Sequence, residues 1–401
     1  MNGDRPAVLA VTSQLPWPLN TGGHLRTFHL MRSLARRFRV RLVTGVSGQQ
    51  PECVAALARE GITVRPVQLG PRSGWCEGLR ALSAAVKREP YVLYHRHNRR
   101  PIRAALRAEI HRERPGLVYL DHLDSAAFFP VHPGIPVALD LHNVYSLLLG
   151  REAEARGTLT QLYLRREARL LARAEERAVR LADVVFAVSD VEAAHFRGLG
   201  ARSVTVVPNG VDCAAYESLP AGRRDGPPVI LYVGTMSWAP NAAAARFLVA
   251  DVLPRVREKI PTAEVWVVGK DPPADLVAMA NRPGVRVAGG VPSMQPYLQA
   301  AHVLAVPLEA GGGTRLKILE AFAAGLPVVS TPVGCEGLRA VNDEHLIVRP
   351  GDEFAPALVG LLNDPEAGAQ LAGRARELAR RLFDWGAVGK LACDALAAVT
   401  R

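Results

Sequence analysis

Cysteine is scarce in this chain: five residues in 401 (Cys53, Cys76, Cys213, Cys335 and Cys393), scattered, odd in number and without a Cys-x-x-Cys pair. That pattern excludes a disulfide framework and a thiolate zinc site, and is expected of reduced, buried thiols in a cytosolic protein. Long apolar runs are missing too. No stretch approaches the roughly 20 residues that span a bilayer. The run Ala7 to Val11 is too short for a signal-peptide core and reads as a first strand. Aromatic residues are 6 % of the chain and form no ladder, and no reader motif for nucleic acid is present, so nucleic acid is not an expected partner. Lysine is nearly absent, at five of the 49 basic residues. There is no Asp-x-Asp signature, and no metal site is expected.

What is present is a globular composition, 49 % hydrophobic and 22 % charged, with length for two ordinary domains. The net charge of +11 is unevenly placed: residues 1–205 hold 30 Lys+Arg against 18 Asp+Glu, the remainder 19 against 20. The excess is densest at residues 95–114 and 151–180. A basic face of this kind favours an anionic partner such as phosphate-bearing lipid or a membrane surface. Ordinary solvated helix faces in an arginine-biased chain account for the same counts.

Short apolar runs suggest strands at residues 7–12, 40–44, 62–67, 91–95, 117–121, 137–141, 184–188 and 204–207. A second set follows at 229–233, 265–268, 285–288, 303–306, 328–330 and 346–348, with helical patterns between most of them. Such runs indicate parallel sheets covered on both faces. Residues 220–228 read as a linker or surface loop. The architecture expected is α/β: two doubly wound Rossmann-like domains facing across a cleft. Ligands of such sheets bind outside the carboxyl ends of the strands.

The most informative stretch is Pro307-Leu-Glu-Ala-Gly311-Gly312-Gly313-Thr314-Arg315-Leu316-Lys317-Ile-Leu-Glu320. A strand, a glycine turn and a helix start bring free backbone N–H groups and a positive helix end to one place. The glycines let a phosphate approach the main chain. Arg315 and Lys317 add full charges, and Glu320 can accept hydrogen bonds from sugar hydroxyls. This suits a nucleoside diphosphate. The stretch is not a P-loop, since Ile318 follows Lys317, nor a Gly-x-Gly-x-x-Gly site. As an isolated feature, a glycine run is also a common turn, and Glu320 a common helix-surface residue.

Other strand ends carry weaker signals. Thr21-Gly22-Gly23 opens a helical pattern over 25–37 and repeats the anion-binding logic. Asp140-Leu-His142-Asn143 places an imidazole at a strand end, where it can hydrogen-bond a sugar. Gly234 and Thr235 leave the first strand of the second set; Gly234 permits close approach of a ligand, or serves a tight turn. Val291 follows Gly289-Gly290, where a backbone amide can meet a base. The helical pattern at 151–180 reads as a packing helix with a charged outer face, or as one touching a membrane surface.

Together these pieces resemble glycosyltransferase family 4, retaining enzymes of the GT-B fold. The carriers are the Thr21-Gly22-Gly23 loop, Leu141-His142-Asn143, the run 182–189, Val207-Pro-Asn-Gly-Val-Asp212, Val233-Gly234-Thr235-Met236, and 311–324 with Gly325-Leu-Pro-Val-Val329. The Gly-Gly-Gly-Thr-Arg-Leu-Lys form is similar to a branch common in polysaccharide synthesis. The resemblance implies an acceptor-binding domain at 1–208, a nucleotide-sugar domain at 209–383, and a C-terminal helix at 384–401 crossing back to the first domain. It implies retention, a nucleotide-diphosphate sugar as co-substrate and no other cofactor. Glu320 matches the second glutamate of the family's Glu-x7-Glu motif, which holds the ribose, and His142 the histidine beside the donor sugar. The chain departs from the pattern in two places. Gly312 stands where the first glutamate belongs, with Glu309 as a possible substitute. Thr235 and Asn241 stand near where many members carry an Arg/Lys pair, and Arg315 and Lys317 are expected to supply that charge. The resemblance leaves open a lipid-linked glycan acceptor at the inner face of the plasma membrane, a secondary-metabolite acceptor, or a sugar-nucleotide epimerase of the same architecture.

Overall fold

The computed structural model describes residues 5–70, 74–91, 99–129, 134–154, 157–217, 226–310 and 315–400. The chain divides into two units: Met1–Pro208 together with Val388–Arg401, and Asn209–Ala387.

Unit 1 is built on seven strands: β1 (Ala7–Thr12), β2 (Arg39–Val46), β3 (Thr63–Gln68), β4 (Leu117–Asp121), β5 (Val137–Leu141), β6 (Val184–Ala187) and β7 (Val204–Val206). They form one parallel sheet in the order β3-β2-β1-β4-β5-β6-β7. Strands β4, β5 and β6 are buried along their whole length. Helices on both faces leave no solvent side, so these strands read as continuous apolar runs. The polar residues Asp121 and Asp140 come only at their carboxyl ends.

Unit 2 repeats the scheme with β8 (Val229–Val233), β9 (Glu264–Val268), β10 (Val285–Ala288), β11 (Val303–Val306), β12 (Val328–Ser330) and β13 (Ile347–Val348), in the order β10-β9-β8-β11-β12-β13. Its pairings are parallel throughout. In each sheet the order reverses once, between β1 and β4 and between β8 and β11. A doubly wound sheet leaves its ligand crevice at that point, outside the strand ends.

The apolar runs therefore located the sheets correctly. The long helical pattern at 151–180 is instead two helices, Tyr145–Glu154 and Thr158–Leu181, the second starting after Gly157 in extended conformation. The strand expected at 91–95 lies, apart from Tyr91, outside the described residues, as does most of the expected linker. The C-terminal segment packs within unit 1. Gly389 leaves room for Ser33, whose hydroxyl would stand 2.1 Å from an added Cβ. Arg37 and Asp394 pair at 2.6 Å.

Candidate active site

In unit 2, of the expected donor residues, Lys317 is brought by Asn241 to the carboxyl end of β8, beside Gly234 and Thr235. The helix Leu316–Ala324 follows Arg315, and Gly325 ends it in the left-handed conformation, φ 66°. Its first turn carries Lys317, half-buried, with the ammonium 3.2 Å from Asn241 Oδ1 and 4.6 Å from the centre of the Tyr232 ring. Tyr232 ends its own hydroxyl on the same Asn241 oxygen at 2.9 Å, and Asn241 Nδ2 donates to the Thr235 carbonyl. Burial and the neighbouring Arg315 push Lys317 down to about 7, against the pull of Glu320. Glu320 lies one turn further along the same face. Burial raises it to about 7, opposed by a hydrogen bond from the Tyr216 hydroxyl and by Lys317.

Arg315 is held differently. Its Nη2 donates to the Val333 carbonyl at 2.6 Å, with Glu336 3.8 Å away, and it is only 7 % exposed. Its charge is fixed behind Lys317 and is part of why that lysine titrates low. At Gly234 an added Cβ would lie 2.7 Å from the Asn241 side chain. The glycine thus allows close approach of Asn241 and of Gly269, whose own Cβ would run into the Gly234 carbonyl. Thr235 is exposed and Val291 half-buried. Glu309 is exposed, its carboxylate 3.5 Å from where a Gly351 Cβ would stand. Gly311, Gly312, Gly313 and Thr314 lie outside the described residues.

Unit 1 carries a second cluster at the ends of β4 and β5. Thr21 caps the helix Gly22–Arg37, its hydroxyl accepting from His24 N at 3.2 Å. Gly22 and Gly23 occupy the first turn. One turn on, Arg26 is wholly buried and clasps Asp140 with Nη2 at 2.6 Å and Nε at 3.0 Å. Its Nη1 donates to the Pro208 carbonyl. Tyr119 donates to Asp140 at 2.8 Å, and Thr27 to Asp121 at 2.9 Å. His142 Nε2 lies 3.2 Å from Asp121 and 3.3 Å from Asp140. Burial opposes its protonation, but these two carboxylates carry it up to about 9.

His122 packs against His142 with ring centres 3.9 Å apart and the planes tilted by 50°. Its Nδ1 meets the Tyr145 hydroxyl at 2.5 Å. Burial, and then the charged His142, push His122 down to about 3. The pair is thus one imidazolium and one neutral imidazole. Gly23 lies against both: an added Cβ would stand 3.8 Å from His122 Nε2 and 3.9 Å from His142 Nδ1. His142 itself is only 3 % exposed, whereas His122 is half-buried. The backbone of His122 is left-handed, φ 71°. A non-glycine residue held in that region is a form of strain found mainly at functional sites. Asn143 follows at the strand end, half-buried.

Asp121, Asp140 and His142 present atoms close enough together to hold a metal ion, a grouping the sequence did not suggest. Arg26 already neutralises Asp140 from within the group, and Tyr119 and Thr27 take further lone pairs. A cation there would have to displace a buried guanidinium, so the donor set is ill-suited to a metal.

A family model described as Glycosyltransferase Family 4 matches residues 20–215, and one described as Glycosyl transferases group 1 matches residues 227–364. Between them they take in most of both units. The chain belongs to glycosyltransferase family 4.

Glycogen synthase of Mycobacterium tuberculosis (strain CDC 1551 / Oshkosh) is 29 % identical over 216 residues, 51 % of this chain and 50 % of the relative. Phosphatidyl-myo-inositol mannosyltransferase of Mycolicibacterium smegmatis is 29 % identical over 214 residues, 50 % of this chain and 54 % of the relative. The match spans about half the length of these curated relatives. Anabaena HepE, solved in complex with UDP-glucose, superimposes with a TM-score of 0.68 at 17 % identity, covering 98 % of this chain and 100 % of that one. At that identity the likeness is one of fold, the GT-B class.

In this family 4 chain, Lys317, Glu320, His142 and Gly23 stand out in the sequence, whereas the side chains that surround them do not. Tyr216 and Tyr232 lie far from Lys317 and Glu320 in sequence, Tyr119 and His122 belong to the neighbouring strand and the short helix after it, and Arg26 and Tyr145, though close to Gly23 and His142 in sequence, carry no motif of their own. One signal was available: two apolar strands each carry an aspartate in one of their last two positions with a histidine just beyond the strand, Asp121-His122 and Asp140-Leu-His142. An acid emerging from a wholly buried strand needs a cation or donor at the strand end.

Proposed function

We propose that the protein is a retaining glycosyltransferase, transferring a hexosyl group from a nucleoside-diphosphate sugar to a hydroxyl acceptor. We assign it to bacterial polysaccharide or glycolipid assembly. The observation that carries this reading is the contact between Lys317 and Asn241. Asn241 stands roughly where family members are expected to carry a lysine, and here the ammonium arrives at that place from the helix Leu316–Ala324 instead. A positive charge next to the first turn of a helix is what a departing diphosphate requires. Glu320, held by Tyr216, is placed to accept from ribose hydroxyls.

In the step proposed, the acceptor oxygen bonds to the anomeric carbon as the bond from that carbon to the diphosphate oxygen breaks. The acceptor's proton passes to a diphosphate oxygen, and the products are the glycoside and the free nucleoside diphosphate. Lys317 stabilises the charge that grows on the leaving group, and Arg315 adds to the potential from behind. In unit 1 the charged His142 and neutral His122 supply a hydrogen-bond donor and acceptor for sugar or acceptor hydroxyls. No metal or additional cofactor is assigned a part.

Thermal-shift titration with UDP, GDP, dTDP and ADP tests the donor assignment, with a saturable rise expected for one of them. NMR of the product's anomeric proton then tests retention. No shift with any nucleotide overturns the reading. The chain has no described helix long and apolar enough to cross a membrane, so a lipid-linked acceptor would be met at the membrane surface.

A further inference from the structure

The helix Gly74–Lys87 is turned inside out. An amphipathic helix ordinarily buries its apolar stripe. Here Trp75, Leu79, Leu82 and Val86 follow a helical spacing of four, three and four, and so lie within about 60° of arc on one face. They are 84 %, 59 %, 63 % and 76 % exposed, while Ala84 is the helix's buried contact.

The helix Thr158–Leu181 adds to this surface. Leu159 and Leu162, 84 % and 59 % exposed, share a face with Arg166, Arg169 and Arg173 at spacings of three and four. The two helices meet at a shallow pocket of about 300 Å³ lined by Ala85 and Arg88 from the one side and by Arg166, Arg169, Leu170 and Arg173 from the other. Four guanidinium groups converge there, and among the described residues no carboxylate lines it. Arg166 has an acidic partner close by among the described residues, Glu167 at 3.0 Å. Lys87 is exposed beside the stripe. On the stripe's own helix, Glu77 is engaged with Arg80.

We propose that this face of unit 1 docks on an anionic lipid bilayer, the apolar stripe entering the headgroup boundary and the arginine pocket receiving lipid phosphate. An exposed apolar stripe containing tryptophan and flanked by arginine is the chemistry of a helix lying in the membrane interface. Guanidinium groups bind phosphate oxygens in pairs. A second copy of the chain fits less well, since a two-fold contact through this face would bring both arginine clusters into one interface. The inference deepens the proposed function by naming where a membrane-borne acceptor would be met, but its geometry does not depend on the nucleotide site.

Co-sedimentation of the full-length protein with phosphatidylcholine vesicles, pure or with one-quarter phosphatidylglycerol, tests it. Binding is expected to the anionic vesicles only, and to be released as salt is raised. The variant Trp75→Ser/Leu79→Ser and the variant Arg166→Gln/Arg169→Gln/Arg173→Gln should each lose on the order of tenfold or more in vesicle affinity. All five positions are exposed, so both variants should keep the wild-type thermal unfolding and nucleotide response. Failure of the wild-type protein to sediment with anionic vesicles overturns the proposal. So does wild-type binding by both variants, or a dimer in ultracentrifugation that Trp75→Ser/Leu79→Ser abolishes while vesicles remain unbound. Expected vesicle binding with no response to any nucleotide leaves the docking face standing and removes the donor assignment.

Discussion

Asp121 and Asp140 are register partners on the adjacent parallel strands β4 and β5. Two buried carboxylates therefore stand side by side at the mouth of the unit 1 sheet. Arg26 and the imidazolium of His142 answer them, and burial makes this compensation obligatory. Burial opposes the ionised form of Asp140, yet the Arg26 and His142 charges hold it far below the usual carboxylate range. The network fixes His142 and the Gly22–Gly23 turn to one framework, since Arg26 belongs to the same helix as the glycines.

Arg26→Ala should destabilise unit 1 by about 3–5 kcal/mol, the cost of leaving a buried partner unpaired. Hydrogen exchange at the amides of β4 and β5 reads this directly, and unchanged protection there would show that the pair is dispensable. His142 adds a pH dependence of definite sign. Its native pKa of about 9 lies above the ordinary 6.5. The stability it contributes is complete below about 6.5 and is lost as pH rises through about 9. His142→Gln should flatten that window.

His122 should matter for turnover more than for folding. His122→Asn keeps a residue type that tolerates the left-handed backbone but removes the imidazole packed against His142. A fall in kcat on the order of 10²-fold with little change in thermal unfolding is expected. Gly23→Ala meets His122 and His142 only at ordinary contact distance, so the fold should survive while access to both nitrogens narrows. Wild-type kcat/KM in both variants would remove the histidine pair from the mechanism.

Lys317→Ala should cost on the order of 10²-fold in turnover, the scale for losing one preorganised donor to a developing oxyanion. Its pKa of about 7 adds a second signature. A bound diphosphate favours the ammonium form, so above pH 7 binding must take up a proton. Nucleotide affinity should then fall by up to about tenfold per pH unit. Calorimetry of Lys317→Met should show this slope gone. A slope that persists would place the titrating group elsewhere.

Glu320→Gln is expected to separate stability from binding. The native pKa, raised from 4.5 to about 7, means the folded chain loses stability as pH climbs through that interval. Removing the charge should raise the melting temperature of the nucleotide-free protein at pH 8 by about 2–4 °C. Nucleoside-diphosphate affinity should weaken at the same time. Unchanged affinity would take the ribose away from Glu320.

Chelation offers a separate check on the Asp121, Asp140 and His142 grouping. With Arg26 occupying it, activity should persist in excess EDTA. Activity abolished by EDTA and restored by Mn²⁺ would mean that a metal displaces Arg26 or binds at another place.

Local pattern was enough to reveal the two parallel sheets, because a strand covered on both faces must be apolar along its whole length. It also revealed the helix Leu316–Ala324, and Lys317 and Glu320 on it, since spacing along one helix is a local property. The burial of Arg26, the contact of His122 with His142, and the packing of Gly234 against Asn241 and Gly269 were not legible. Each depends on side chains brought together from distant strands. The same holds for the titration of Lys317 near neutrality and for the outward face of Trp75, Leu79, Leu82 and Val86. Periodicity tells that a stripe exists; only the packed fold decides whether that stripe finds a core or is left at the surface. Desolvation and charge proximity likewise exist only once the chain has folded.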